Sequence, residues 1–119
     1  MLFRSDFFDG VVTGSRLLIL LTDIAGKGAD THTIATKVQD VFRTKAQELF
    51  GPPGANESDG IAQLAVYVNR AIIEAAGDVR FAPTFVGCYN LALGLLTYHN
   101  ASLLEIGRAS CRERVCLYV

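Results

Sequence analysis

Hydrophobic and polar positions along the chain fall into strand-like, then helix-like, then strand-like patterns. "DFFDGVVTGSRLLILLTDI" reads as a β-hairpin. Phe7 to Val12 is rich in aromatic and β-branched residues. "TGSR" (Thr13 to Arg16) supplies a turn in which Gly14 can take positive φ. Leu17 to Leu21 is apolar on both faces, as expected for a strand covered on both sides. A buried helix segment is the competing reading, but a short run between two Gly-containing turns favours a strand. Thr31 to Phe50 then reads as an amphipathic helix, with Ile34, Val38, Val41, Phe42, Ala46 and Leu49 on one stripe. Lys37, Arg43 and Lys45 fall on its other face. "GPPGANESDG" stops it, because Pro52 and Pro53 lack the amide donor a continuing helix needs. A second helix is expected from about Asp59 to Ala76, striped by Ile61, Leu64, Ala65, Val68 and Ile72, with Gly77 suited to its C-cap. "FAPTFVGCYN" and "LGLLTYHNA" read as two strands joined by "NLALG". Strand, strand, helix, helix, strand, strand predicts an α+β layered fold and excludes alternating parallel βαβ units.

Bulk properties narrow the function classes. The chain has 119 residues, enough for one small domain, and half of them are apolar, which excludes disorder. A net charge of −1 gives no electrostatic argument for nucleic acid or an anionic membrane surface. Leu17 to Leu21 is far too short to span a bilayer, and no secretory signal opens the chain. Cys88, Cys111 and Cys116 form neither a disulfide framework nor a zinc pattern, so a reducing cytoplasm is the expected location.

The tail "EIGRASCRERVCLYV" breaks this texture, with no strand alternation and a poor helical stripe. Ile106 to Val115 resembles one reading frame of a sequencing adapter. Residues 1–104 are therefore read as the natural part, a fragment of a longer protein, and 105–119 as a non-native tail.

The corner "TDIAGKGAD", Thr22 to Asp30, carries the candidate chemistry. A phosphate loop needs Lys followed by a hydroxyl residue and an earlier glycine. Here Lys27 is followed by Gly28, and Leu21 stands where that glycine belongs. The dinucleotide pattern fails as well, since Thr31 follows where a third glycine is required. A metal site fits better. Asp23 is expected to emerge at a strand end, and Asp6 and Asp9 lie on the preceding strand. With the turn at Thr13 to Arg16, Asp6 and Asp23 come to the same end of the pair. Two converging carboxylates repel unless a cation sits between them. Hard oxygen ligands suit magnesium or manganese, and the glycines leave room for the backbone. The plain alternative is that either acid caps a turn or is solvated.

"SDFFDG…LLILLTDIAGKGAD" resembles the opening of the PPM-type metal-dependent serine/threonine phosphatases, in their bacterial SpoIIE-like branch. That branch shows G-D-[FY]-[FY]-D, an apolar strand, then D-[IV]-[SA]-G-K-G and a helix. "VNRAI", "FAPTFVGCYN" and "LTYHNA" resemble its later elements in order, so the likeness runs from Arg4 to about Ser102. The resemblance implies an α-β-β-α sandwich of antiparallel sheets flanked by helices, here a partial one, incomplete at the C-terminus. It implies two divalent metal ions, Mn2+ or Mg2+, activating a water that attacks a phosphoserine or phosphothreonine of a protein substrate. Carried over, Asp6 and Asp23 are metal ligands, Asp23 bridging, with the backbone carbonyl of Ile24 a further ligand. Asp9 takes a supporting role around the metals, Gly26 and Gly28 are the corner glycines, and Lys27 attracts phosphate or is a solvated cation. The parent protein is then a bacterial signalling enzyme with an upstream sensor domain. Ser5 replaces the usual glycine, "NAS" with Leu103 replaces N-A-G-H, and the family's late aspartates do not occur. This chain alone is therefore expected not to complete the site, and to be poorly stable with one core face uncovered.

His32 reads as a surface residue near a helix start, His99 as a strand residue and Cys88 as a small buried hydrophobe. Asn69 is packed or solvated, and Tyr67, Tyr89 and Tyr98 suit packing, since no basic stripe accompanies them. The rival function is a non-catalytic regulatory module of the same fold that binds a protein partner.

Overall fold

The computed structural model describes the backbone of residues 2–27, 31–75, 79–81, 83–105 and 108–118, and the side chains of 7–23, 32–75 and 83–100. The elements are β1 (Leu2–Thr13), β2 (Arg16–Lys27), α1 (Thr31–Phe50), α2 (Glu57–Ala75), β3 (Val79–Phe81), β4 (Thr84–Asn90), β5 (Leu95–Glu105) and β6 (Arg108–Tyr118). The strands make one antiparallel sheet in the order β1-β2-β4-β5-β6, with β3 paired to β2 beside β4. The fold is α+β, as the pattern predicts.

The hairpin turn forms because Gly14 sits at φ +61° as the first of two loop residues between the paired Thr13 and Arg16. Glycine at that position suits the turn whose twist matches its strands. β1 and β2 then run in uniform register to Leu2 opposite Lys27. Gly94 plays a similar part after β4, at φ +66°, with its N–H donated to the Asn90 carbonyl at 2.8 Å.

α1 has the predicted bounds. Its Ile34, Val38, Phe42, Ala46 and Phe50 are buried, and Val41 and Leu49 pack at the margin. α2 starts two residues earlier than the periodicity suggests. The Asn56 side-chain oxygen accepts the Asp59 N–H at 2.9 Å, which makes Asn56 the cap. Glu57 and Asp59 then lie in the first turn, where negative charge complements the helix dipole. Gly77 falls outside the described residues.

Both helices cover one face of the sheet. Leu18 and Leu20 of β2 and Val86 and Cys88 of β4 join the two helical stripes in one core. The close approach of the helices depends on Gly60, which faces the ring of buried Phe50. At the turn end of the hairpin, Arg16 Nε donates to Glu57 Oε2 at 2.6 Å, and Asn90 Nδ2 donates to the same oxygen at 2.8 Å. Asn90 Oδ1 accepts the N–H groups of Ala92 and Leu93, each at 3.0 Å. One acid thus ties the first turn, the start of α2 and the β4–β5 turn together.

The opposite face carries an apolar surface. Phe8 is 78% exposed, Val12 63% and Leu21 47%. Phe85 stacks on Tyr98 there, ring centroids 5.3 Å apart, with its ring over Gly87. Leu17 to Leu21 reads as covered on both faces in the sequence, whereas Leu21 is exposed on this face and Leu17 and Ile19 are half-buried. Arg108–Tyr118 pairs with β5 as the edge strand β6.

Candidate metal centre

The uniform register of the hairpin decides which acids meet. Asp6 pairs directly with Asp23. Opposed positions of an antiparallel ladder share a face, with Cβ atoms typically about 4.5–5.5 Å apart. Phe7, Asp9 and Val11 alternate with them and face the helices, as do Leu18, Leu20 and Thr22 of β2. Asp6 and Asp23 thus belong to the other face, whose next pair is Phe8 opposite Leu21. The Asp6 side chain lies outside the described residues, so its placement is one of register.

Asp23 does not end a strand. β2 continues to Lys27, because β1 extends to Leu2 on one side and β3 pairs on the other. The expected corner at Thr22 to Lys27 is therefore strand, and only Gly28 to Asp30 remains outside the described residues. Asp23 sits instead at a seam. The last β2–β4 pair is Thr22 opposite Thr84, and β3 takes over at Ala25 opposite Phe81, with a register shift between Ala25 and Gly26. Ile24 lies opposite Ser5, Gly26 opposite both Phe3 and Val79, and Lys27 opposite Leu2. Gly26 stands at the shift, where a residue without a side chain is easily accommodated.

The seam is closed by Pro83. Its carbonyl accepts the Asp23 N–H at 3.2 Å and the Thr22 hydroxyl at 3.2 Å. The Thr22 and Thr84 hydroxyl oxygens lie 3.2 Å apart, and both residues are buried.

Asp9 is occupied elsewhere. Its Oδ2 accepts Arg43 Nε at 2.7 Å, and its Oδ1 accepts Arg43 Nη2 at 2.8 Å and the Gly10 N–H at 2.9 Å. The guanidinium holds the Asp9 carboxyl below the usual carboxylate range, aided by Gly10 and Gln39 and opposed by burial. Asp9 in turn raises Arg43. This acid fastens β1 to α1 on the face away from Asp6 and Asp23. Its three-residue offset from Asp6 already implied opposite faces in a strand of period two. Arg43, assigned to the polar face of its helix, gave no such signal.

The other polar residues lie apart from the acid pair. His32 is exposed, whereas His99 is buried on the helix side of β5 opposite Val86. Cys88 is fully buried, and burial pushes its thiol up to about 12. Among the described residues, no three His, Cys, Asp or Glu side chains converge, and no helix is long and apolar enough to cross a membrane. Asp6 and Asp23 fit a hard divalent cation in donor chemistry, as two oxygen ligands of the six or more such an ion takes. Comparison with protein-family models, curated proteins and solved structures finds no match to this chain.

Proposed function

We propose that the chain is the N-terminal part of a PPM-type phosphatase domain, whose parent protein hydrolyses phosphoserine or phosphothreonine in a bacterial signalling protein. The observation that carries this reading is Asp6 directly opposite Asp23 on the face away from the helices. Like charges at opposed positions destabilise a ladder, so a hairpin that keeps such a pair has a use for it. Mn2+ or Mg2+, two ions in the complete domain, would supply a low-pKa water for in-line attack on phosphorus. Asp6 and Asp23 would hold the ions, with the Ile24 carbonyl as a further oxygen. Lys27, the last residue of β2, would draw the phosphate dianion toward that end of the hairpin. The exposed apolar face beside the acids is the surface that the second sheet of such a sandwich covers. An upstream sensor domain and a cytoplasmic setting complete the reading.

The same exposed face favours one other reading, a non-catalytic module of this fold that docks a protein partner beside the acid pair. Phosphopeptide hydrolysis by the full-length gene product with Mn2+ separates the two. The enzyme reading expects turnover that Asp23→Asn abolishes. Undiminished turnover in Asp23→Asn contradicts the metal assignment, and no turnover in the intact protein favours the docking module.

A further inference from the structure

We infer that the interface between α2 and the sheet is an internal water site, built on the Asn69 carboxamide. Asn69 lies in the core-facing stripe of α2, a turn after Ala65 and three residues before Ile72, both fully buried. It is itself only 3% exposed. Among the described residues, neither its Oδ1 nor its Nδ2 has a hydrogen-bond partner. A carboxamide offers two N–H donors and two acceptor lone pairs, and buried groups of this kind are met by protein or by ordered water. Asparagine also suits a helix interior poorly, because its side chain competes for backbone bonds. Helix propensity, burial and hydrogen bonding therefore all disfavour Asn69, whereas Leu64, Ala65, Val68 and Ile72 around it meet all three. A sequence keeps such a conflict where the residue has something to hold.

The surroundings select water as the guest. The carboxamide is neutral, and an ion placed on this apolar stripe would lose its hydration with no counter-charge from α2. Water accepts an amide N–H and donates to other oxygens or nitrogens, and an internal water makes about three such bonds. The further partners belong to the sheet. α2 packs against β4 and β5, and β5 turns the buried polar residues Thr97 and His99 to the helix side. Glu57 ties the start of α2 to Asn90, and the helix runs from there toward the acid end, where β3 follows it. Asn69 is twelve residues beyond Glu57, about 18 Å along the helix. The same distance along β4 from Asn90, at about 3.3 Å per residue, ends near Phe85, beside the Val86–His99 rung. This site is independent of what the acid pair binds.

The test is water–protein NOE and ROE spectroscopy of the isotope-labelled 119-residue chain, with water relaxation dispersion as a second readout. The Asn69 Nδ2 protons are expected to give water cross-peaks of opposite sign in the two experiments, the mark of a water that tumbles with the protein. Asn69→Leu keeps the number and branching of the heavy atoms while deleting donors and acceptors. It is expected to lower the dispersion amplitude by the contribution of at least one long-lived water, with far-UV circular dichroism checking that it is folded. Asn69 protons without water cross-peaks, or with cross-peaks of the sign that surface water gives, overturn the inference. A folded Asn69→Leu chain with the native dispersion amplitude overturns it as well. If Asn69→Leu does not fold, the cross-peaks of the native chain decide alone.

Discussion

Gly60→Ala tests the packing of the two helices. Gly60 is buried in the first full turn of α2, and its N–H donates to the Asn56 carbonyl at 2.9 Å. A Cβ at this position would meet the Phe50 ring at 2.7, 3.0 and 3.2 Å, where ordinary contact begins at 3.4 Å. The ring must therefore withdraw by about 0.7 Å at its tip to restore ordinary contact. Phe50 is only 2% exposed, so the surrounding core must move with it. Overpacking of this kind costs about 1–3 kcal/mol. Alanine returns about 1 kcal/mol of helix propensity. The expected net effect is a loss of about 1 kcal/mol. Urea unfolding followed by far-UV circular dichroism measures it, since the chain has no tryptophan. Phe50→Leu should relieve the contact, so the double variant should lose less than the two single changes together. A Gly60→Ala chain more stable than the native one by about 1 kcal/mol, the bare propensity gain, would refute the reasoning.

Other consequences follow from the same geometry. Arg43 lowers the Asp9 pKa, and a depressed folded-state value gives stability present above the unfolded pKa and lost as pH falls through the folded one. The native urea midpoint is therefore expected to fall below about pH 4, and Arg43→Met to lower the neutral midpoint and remove that acid dependence; an unchanged pH slope contradicts the pairing. With Cys111 and Cys116 replaced by serine, Cys88 should resist a disulfide reagent at about pH 8 until urea unfolds the chain, and fast reaction without urea contradicts its burial. Phe8→Ser should cost less than about 0.5 kcal/mol and reduce binding of a hydrophobic dye, because the ring is 78% exposed on the open face. A loss of about 2 kcal/mol or more would mean that this face is covered.

Local signals explain what the sequence made legible. A double proline stops α1 at Phe50, and a glycine with positive φ closes the hairpin in two residues. That turn carries the register to Asp6 and Asp23 without a bulge, so the pairing of these acids was readable from the turn alone. The faces of Asp6 and Asp9 were equally readable from their odd spacing, yet motif position drew Asp9 toward the metals. What stayed hidden depends on partners distant in sequence. β3 is three residues long and too short for a period to appear. β2 keeps strand form through Ala25 and Gly26, poor strand residues, because β1 and β3 pair with them from both sides. The Thr22–Thr84–Pro83 clamp joins positions about sixty residues apart, and no spacing rule points to it.

The acid pair makes opposite demands with and without a cation. Alone, two opposed carboxylates cost the hairpin about 0.2–1 kcal/mol, so Asp23→Asn should raise the urea midpoint of the metal-free chain. With Mn2+ at ten times its dissociation constant, the full-length gene product, in which the site is expected to be complete, should gain about 1.4 kcal/mol and its Asp23→Asn variant almost nothing. The most direct measurement is therefore the urea midpoint of the full-length gene product and of its Asp23→Asn variant, each with and without Mn2+. The predicted result is a crossing, the variant more stable without metal and less stable with it. An equal Mn2+ effect on both chains, or a variant less stable than the native chain when metal is absent, would contradict a cation site at Asp6 and Asp23.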